Sequence, residues 1–290
     1  MGNDEKIITT SNRFRMAIIG DTQRPFLSFE KNHLIRTKLV NHLASLNPHL
    51  LLHLGDFVAV GESSKDWSYL WEVFAPVKLK QIPILPVIGN HDLYWSQNKA
   101  KVKLAESFPD LDNSSYFHKT FGAIALIVLN SNDFSLSPEE WTAQTKWYQE
   151  TIKRLENENN IRSIITCSHH PPFTNSMVIG PHKLAQKDFV PIFINSPKSK
   201  LYLSGHAHTY EHFILSNKHF VVSGGGGGQR QPLLPPFLSR INDIKPWTLF
   251  KPFHYISLED SDQEISLRVH GYNKTMNIFE TIDEFTFLKS

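Results

Sequence analysis

An α/β fold with two packed sheets is what this sequence predicts. Three observations carry it. Short apolar runs of strand length stand at 14–19, 49–54, 84–88, 162–167 and 200–203. Segments with helical spacing separate the first three, giving a strand–helix–strand–helix–strand series with right-handed crossovers and a mainly parallel sheet. Each run ends abruptly in a polar cluster, the place where open α/β sheets build their sites.

The elements follow in order. Run 14–19 ends in Gly20-Asp21-Thr22-Gln23, and Arg24-Pro25 reads as a loop. A helix is expected from about 31 to 45, because Ile35, Leu39, Leu43 and Leu46 recur at helical spacing before Asn47-Pro48 stops it. Strand 49–54 ends in Gly55-Asp56. A second helix over 66–77 places Trp67, Leu70, Trp71 and Phe74 on one face. Pro83 precedes strand 84–88, which ends in Gly89-Asn90-His91-Asp92. Residues 98–108 read as a helix, 109–115 as turns, and 115–120 and 123–129 as strands around Phe121-Gly122. Ser137-Pro138-Glu139-Glu140 is a helix start: Ser137 can cap, Pro138 fits the first turn, and Glu140 completes a capping box. Trp141, Tyr148, Ile152 and Leu155 then share a face as far as the polar turn at 157–160.

Strand 162–167 leads to Ser168-His169-His170-Pro171-Pro172, a helix near 183–194 follows, and strand 200–203 ends in Ser204-Gly205-His206-Ala207-His208. A hairpin of 212–215 and 219–222 turns at Asn217-Lys218. Five glycines at 224–228, a proline-rich stretch to 236 and strands at 254–258, 265–269 and 278–287 complete the pass. With no repeat and no clear linker, residues 1–290 read as a single domain. Within it, 1–12 is a flexible N-terminus and 229–250 a loop or small cap.

The totals narrow the function. A chain of 290 residues with 40% hydrophobic and 20% charged residues is an ordinary globular protein. A net charge of +2 is too small to imply a nucleic-acid or membrane partner. One cysteine, Cys167, excludes internal disulfides and cysteine-rich zinc sites, and it fits a reducing compartment. Residues 1–11 are polar, without the apolar core of a signal peptide, and no apolar run has the length of a membrane span. A cytoplasmic location is the expectation.

Five strand-end clusters then carry the chemistry: Asp21 with Gln23; Asp56; Asn90, His91 and Asp92; His169 and His170; His206 and His208. Any one of them is an unremarkable cap or surface pair. Repeated at one sheet edge, carboxylates, an amide and imidazoles form a donor set suited to Mn, Fe or Zn. Two such ions about 3.5–4 Å apart activate water and clamp a phosphoryl group.

These ordered motifs resemble those of the calcineurin-like metallophosphoesterases, over most of the chain from about residue 16 to 228. The resemblance implies a four-layer α/β/β/α sandwich of two mixed sheets flanked by helices. It implies hydrolysis of a phosphomonoester or phosphodiester, a small molecule, by a metal-bound hydroxide at a binuclear site. Asp56 would bridge the two ions, Asp21 and His208 would hold the first, and Asn90, His169 and His206 the second. His91 would contact the phosphate and protonate the leaving group, with Asp92 setting its position and charge. His169 rather than His170 takes the ligand role because the family's ligand lies two residues before a proline. His170 and Arg24 remain for the substrate, together with Asn90 and His91.

One departure stands in the first motif, where Gln23 replaces the usual histidine. A glutamine oxygen is a harder, weaker donor, so ligation by Gln23 favours Mn. The same departure is the support for an alternative, an inactive metal-binding scaffold of the same fold. The stretch around residues 205–212 is also similar to purple acid phosphatases, but Ala59 stands where those enzymes carry a tyrosine ligand, which argues against a ferric-tyrosinate centre. Glycines 224–228 read either as a flexible loop near the site or as a phosphate contact. Tyr94, Trp95 and Phe173 read as pocket walls or packing, and Cys167 as a buried, inert thiol.

Overall fold

The computed structural model describes residues 13–24, 32–109 and 115–290. The whole of the expected N-terminal segment 1–12, Pro25 of the first loop, the helix start at 31 and residues 110–114 of the turn-rich stretch lie outside the described residues. The described strands form two six-stranded sheets. The first runs in the order β12-β11-β10-β1-β2-β3, from strands Arg15–Ile19 (β1), Leu50–His53 (β2), Ile84–Pro86 (β3), Phe253–Asp260 (β10), Glu264–Asn273 (β11) and Ile278–Leu288 (β12). The second runs β4-β5-β6-β7-β9-β8, from Phe117–Phe121 (β4), Ile124–Leu129 (β5), Ser163–Ser168 (β6), Ser199–Ser204 (β7), Tyr210–Leu215 (β8) and Lys218–Ser223 (β9).

Strand periodicity divides the apolar residues between layers. Met16 and Ile18 of β1 face the second sheet, in a core shared with Leu126, Ile165, Leu203 and Val221. Ala17 and Ile19 face outward, under helices α1 (His33–Ser45), α2 (Ser64–Val73) and α3 (Ala75–Leu79). On the far side Ala125, Ile127 and Tyr202 lie under α5 (Pro138–Asn157) and α6 (Val190–Ile194). The result is four layers, helices–sheet–sheet–helices. A further helix, α4 (Gln97–Ser107), precedes β4. The capping box at α5 forms as expected, with Ser137 accepting from the Glu140 amide and the Glu140 carboxylate accepting from the Ser137 amide.

Several expectations are corrected. The first sheet is mixed, as the resemblance implied, and not mainly parallel as the opening strand–helix series suggested: β1 pairs parallel with β2 but antiparallel with β10, since the chain returns from its last third to cover that edge. The helix expected over 66–77 divides at Phe74, because Pro76 lacks an amide and its ring collides with the carbonyl four residues back. The segment at 183–194 is helical, but residues Ala185–Phe189 widen to a π-turn just ahead of Pro191, which removes another amide. Leu46 caps α1 and is exposed, whereas Arg36 is buried. The β8–β9 hairpin turns at Ser216-Asn217, both left-handed as a two-residue hairpin turn demands.

Candidate metal centre

The ends of β1, β2, β6 and β7 and the turn after β3 converge where the two sheets meet. Asp21, Asp56 and His206 follow three of these strands and have φ of 60°, 58° and 64°. Left-handed backbone costs a non-glycine residue about 1–3 kcal/mol, and such strain clusters at functional sites. The reversals are locked together. The Asp21 amide donates to the Gly55 carbonyl at 2.9 Å, the Gln23 amide to the Asp56 carbonyl at 3.1 Å, and the Gly205 amide to the His169 carbonyl at 2.9 Å. The His206 amide donates to the Asp21 carboxylate at 2.9 Å. Gly89 allows a close approach: a Cβ there would collide with the Asp56 amide and carboxylate.

Two ligand groups result. Asp21, Asp56 and His208 bring one ligand atom each within 4.8 Å of one another, and so do His169, His170 and His206. Asp56 connects them, its Oδ1 lying 3.4 Å from His169 Nε2, which is itself 3.1 Å from Asn90 Oδ1. Tautomers are set by carbonyl acceptors. His169 Nδ1 donates to Leu54 O at 2.8 Å and His208 Nδ1 to Gln229 O at 2.7 Å, so each Nε2 turns its lone pair inward, as metal-ligating histidines require. Burial opposes charge on His169, yet the Asp56 and Asp21 carboxylates and the Leu54 carbonyl lift it to about 9. Burial would likewise raise Asp56, but His169, His91 and His206 hold it well below the usual carboxylate range. A field that draws a proton onto a buried imidazole also draws a metal cation. Burial, aided by His169, lowers His206 to about 3, leaving it a neutral donor.

Gln23 sits inside the first group. Its Nε2 is 3.0 Å from Asp56 Oδ2 and 3.2 Å from His208 Nε2, while its Oε1 is buried without a partner. A half-turn of the amide exchanges the two atoms and points a carbonyl oxygen at the ligand cluster. The orphaned oxygen and the inward Nε2 atoms fit a metal ion at this position.

His91 and Asp92 separate. The imidazole lies 4.4 Å from the Tyr94 ring, its Nδ1 donates to Ala59 O at 2.9 Å, and its Nε2 faces Asp56 at 4.0 Å. Ala59, at the position of the missing tyrosine, thus contributes its carbonyl. Asp92 is fully buried, and its carboxylate accepts from the Asp56 and Gly89 amides at 2.9 Å, Phe57 at 2.8 Å and Val58 at 3.3 Å. Burial and the Asp56 charge push this carboxyl up, but each oxygen already takes two N–H groups, and we read it as ionised. Its hydrogen bonds hold the Asp56 turn rather than the His91 ring.

A model of the calcineurin-like phosphoesterase family matches residues 14–210, more than half of the chain. The chain belongs to that family. Membership supports metal-dependent phosphoester hydrolysis in general terms. The structure of a purple acid phosphatase from yellow lupin is similar at 18% identity, with a TM-score of 0.74 over 95% of this chain. This chain spans about half, 54%, of that protein. GAP50 of Plasmodium, described as an anchor in the inner membrane complex, is similar at 15% identity, with a TM-score of 0.77 over 97% of this chain and 90% of that one. A dimetal phosphatase from Danio rerio matches at 12% identity, with a TM-score of 0.62 over 96% and 99%. No curated protein matches the chain in sequence.

Other residues of this calcineurin-like chain fall around the centre. His170 Nδ1 lies 2.9 Å from Ser131 Oγ, which also accepts the His170 amide, and its ring is 4.3 Å from that of His206. Burial and the neighbouring imidazoles hold His170 well below its ordinary value. Arg24 turns to α2 instead, pairing with Asp66 and lying over the Tyr69 ring at 5.0 Å. Glycines 224–228 are buried, and alternate amides donate to Thr209, Gly20 and Asp21 carbonyls. They pack beneath the first motif as a close-fitting spacer. Burial pushes the Cys167 thiol up, as an inert core residue. Sequence reasoning missed Ser131, the bond between Tyr94 and Asn90, and the three orienting carbonyls. Asn130-Ser131-Asn132 ends β5 as the other clusters end their strands, and that signal was available; the carbonyls have none.

Proposed function

We propose that this chain hydrolyses a phosphomonoester or phosphodiester, a small molecule, at a binuclear centre. The observation that carries the reading is the pair of ligand groups joined through Asp56. Asp21, Gln23 and His208 would hold one ion, Asn90, His169 and His206 the other, with Asp56 between them. Two ions here would supply a water ionised at neutral pH and a clamp on the phosphoryl oxygens. Mn suits the first position if Gln23 is a ligand, and Fe or Zn suits the histidine-rich second.

The protein's own residues do the rest. With Nδ1 bonded to Ala59 O, a protonated His91 carries its second proton on Nε2, on the side of Asp56, where it can pass to the leaving oxygen. Asn90 is braced by its bond to Tyr94 Oη at 2.7 Å. His170, held by Ser131, turns its other nitrogen to the substrate. Arg24 reaches a substrate only by leaving Asp66. The lone buried Cys167 suits a reducing, cytoplasmic setting.

The test is direct. Protein stripped of metal and reloaded with Mn is assayed on p-nitrophenyl phosphate, its bis ester and a panel of natural phosphoesters. Asp56→Asn should lose metal and turnover together, and His91→Ala should keep metal but fail on poor leaving groups. Two bound ions without turnover of any ester would establish the scaffold instead.

A further inference from the structure

Residues 229–251 form a strap between β9 and β10, and beyond the Gln229 carbonyl none of the chemistry above uses it. It exposes six large apolar side chains. Phe237 is 84% exposed and Leu238 57%, while Ile244, Trp247, Leu249 and Phe250 are between 43% and 46%. The loop beside it adds Met177 at 53% and Val178 at 62%, joined to the strap by the Met177 amide on the Pro232 carbonyl. Leu234, Pro236 and Trp247 line one cavity, so the two arms of the strap lie side by side. A grouped apolar surface of this kind marks a place of contact.

The strap is anchored to the protein, and its charge says what it meets. Apart from the short 3-10 turn Pro236–Leu238, the apolar stretch from 234 to 250 is irregular, and part of its backbone is tied to the protein. Leu233 donates to Leu249 O, Leu234 to Asn175 O, Leu238 to Pro235 O and Ile244 to His212 O. The Arg240 and Ile241 amides share Asn175 Oδ1, and the Lys245 amide donates to Asp243 Oδ1. Four prolines, at 232, 235, 236 and 246, bring no amide at all. Even the Trp247 indole is satisfied, by Leu234 O at 2.8 Å. Cations are interleaved with the apolar residues: Arg230, Arg240, Lys245 and Lys251 stand against Asp243 as the only carboxylate of the span. Lys245 is offset by Asp283 and Lys251 is buried beside Asp243 and Glu211, but the exposed Arg240 guanidinium is held by the Thr174 and Ser176 carbonyls, which leave its charge intact.

We propose that this strap is a docking face for a lipid surface with anionic headgroups. Phe237, Leu238 and Trp247 enter the headgroup region while Arg240 meets phosphate or carboxylate. This is surface attachment without a span; no helix among the described residues is long and apolar enough to cross a membrane. It goes beyond the hydrolase reading and does not depend on it. Docking would lay the lipid beside the centre, because the strap begins at Gln229, whose carbonyl orients His208.

The test uses the full chain with vesicles of phosphatidylcholine alone or mixed with phosphatidylserine, and reads co-sedimentation. The expected result is binding to the mixed vesicles, reduced by salt. Arg240→Gln should weaken it about fivefold, the effect of about one cation at an anionic surface. Phe237→Ser/Leu238→Ser should abolish it, and both side chains are exposed enough for the variant to fold with an unchanged thermal midpoint. Trp247→Phe should remove a blue shift of tryptophan fluorescence on binding. No sedimentation with the mixed vesicles, or binding undiminished in the double variant, overturns the proposal. So does a strap-dependent dimer or protein complex that forms without vesicle binding.

Discussion

Replacing Asp92 by asparagine separates a structural from a chemical carboxylate. Its two oxygens accept four backbone amides, from Asp56, Gly89, Phe57 and Val58. The substituted side chain would keep one oxygen on one pair and turn an NH2 group against the other. Two hydrogen bonds to a charged acceptor vanish and two donors stay buried, a loss of about 3–6 kcal/mol at about 1.5–3 kcal/mol each. Scaled to the unfolding entropy of a chain this long, the thermal midpoint falls by about 5–10 °C. Metal content should fall with it, because the amide of Asp56 is one of the four. The assay is thermal unfolding by circular dichroism with and without Mn, alongside metal analysis and turnover. A midpoint within about 1 °C of the parent, with metal retained and turnover lost, would refute the reasoning and return Asp92 to the chemistry of His91.

Three further outcomes are expected. Burial outweighs the Pro252 carbonyl bond and lowers His254 to about 4, below the 6.5 of an unfolded chain. Between those values the unfolded state binds the extra proton, so stability falls as pH drops from 6.5 to 4, by about 3 kcal/mol from this residue. His254→Gln should flatten the urea midpoint against pH, and an unchanged slope contradicts the assignment. Gly225→Ala would place a Cβ 2.1 Å from the His254 ring and should cost about 1–3 kcal/mol in urea unfolding, whereas Gly180→Ala meets nothing within 4 Å and should be neutral. Ser137→Ala removes the α5 cap and should cost about 1 kcal/mol by the same measurement.

The strand ends were legible because an apolar run that stops in glycine and polar residues announces both an element and its edge. Asp21, Asp56, Asn90, His169, His206 and His208 were placed that way, and they meet in the structure. Breaks such as Phe74-Pro76 and the π-turn before Pro191 were written in the prolines but not weighed against helical spacing. What stayed hidden depends on groups that every residue carries. The Ala59, Leu54 and Gln229 carbonyls orient His91, His169 and His208 only because distant strands bring them near, and no side-chain pattern encodes a carbonyl. Asp92 misled for a related reason: adjacency to His91 suggested a partner, while its four actual partners are amides.

The pairing of β1 bears on how the molecule comes into being. The strand that carries Asp21 has β2 on one side and β10 on the other, with Ile18 opposite Ile256. Its second neighbour is drawn from the far end of the sequence. During synthesis all the ligand-bearing strands emerge before β10, and β1 waits with a bare edge that invites wrong pairing. Closure over so long an intervening chain is slow. Nascent chains stalled before residue 253 should therefore hold no metal and depend on chaperones, and metal uptake should follow the emergence of β10.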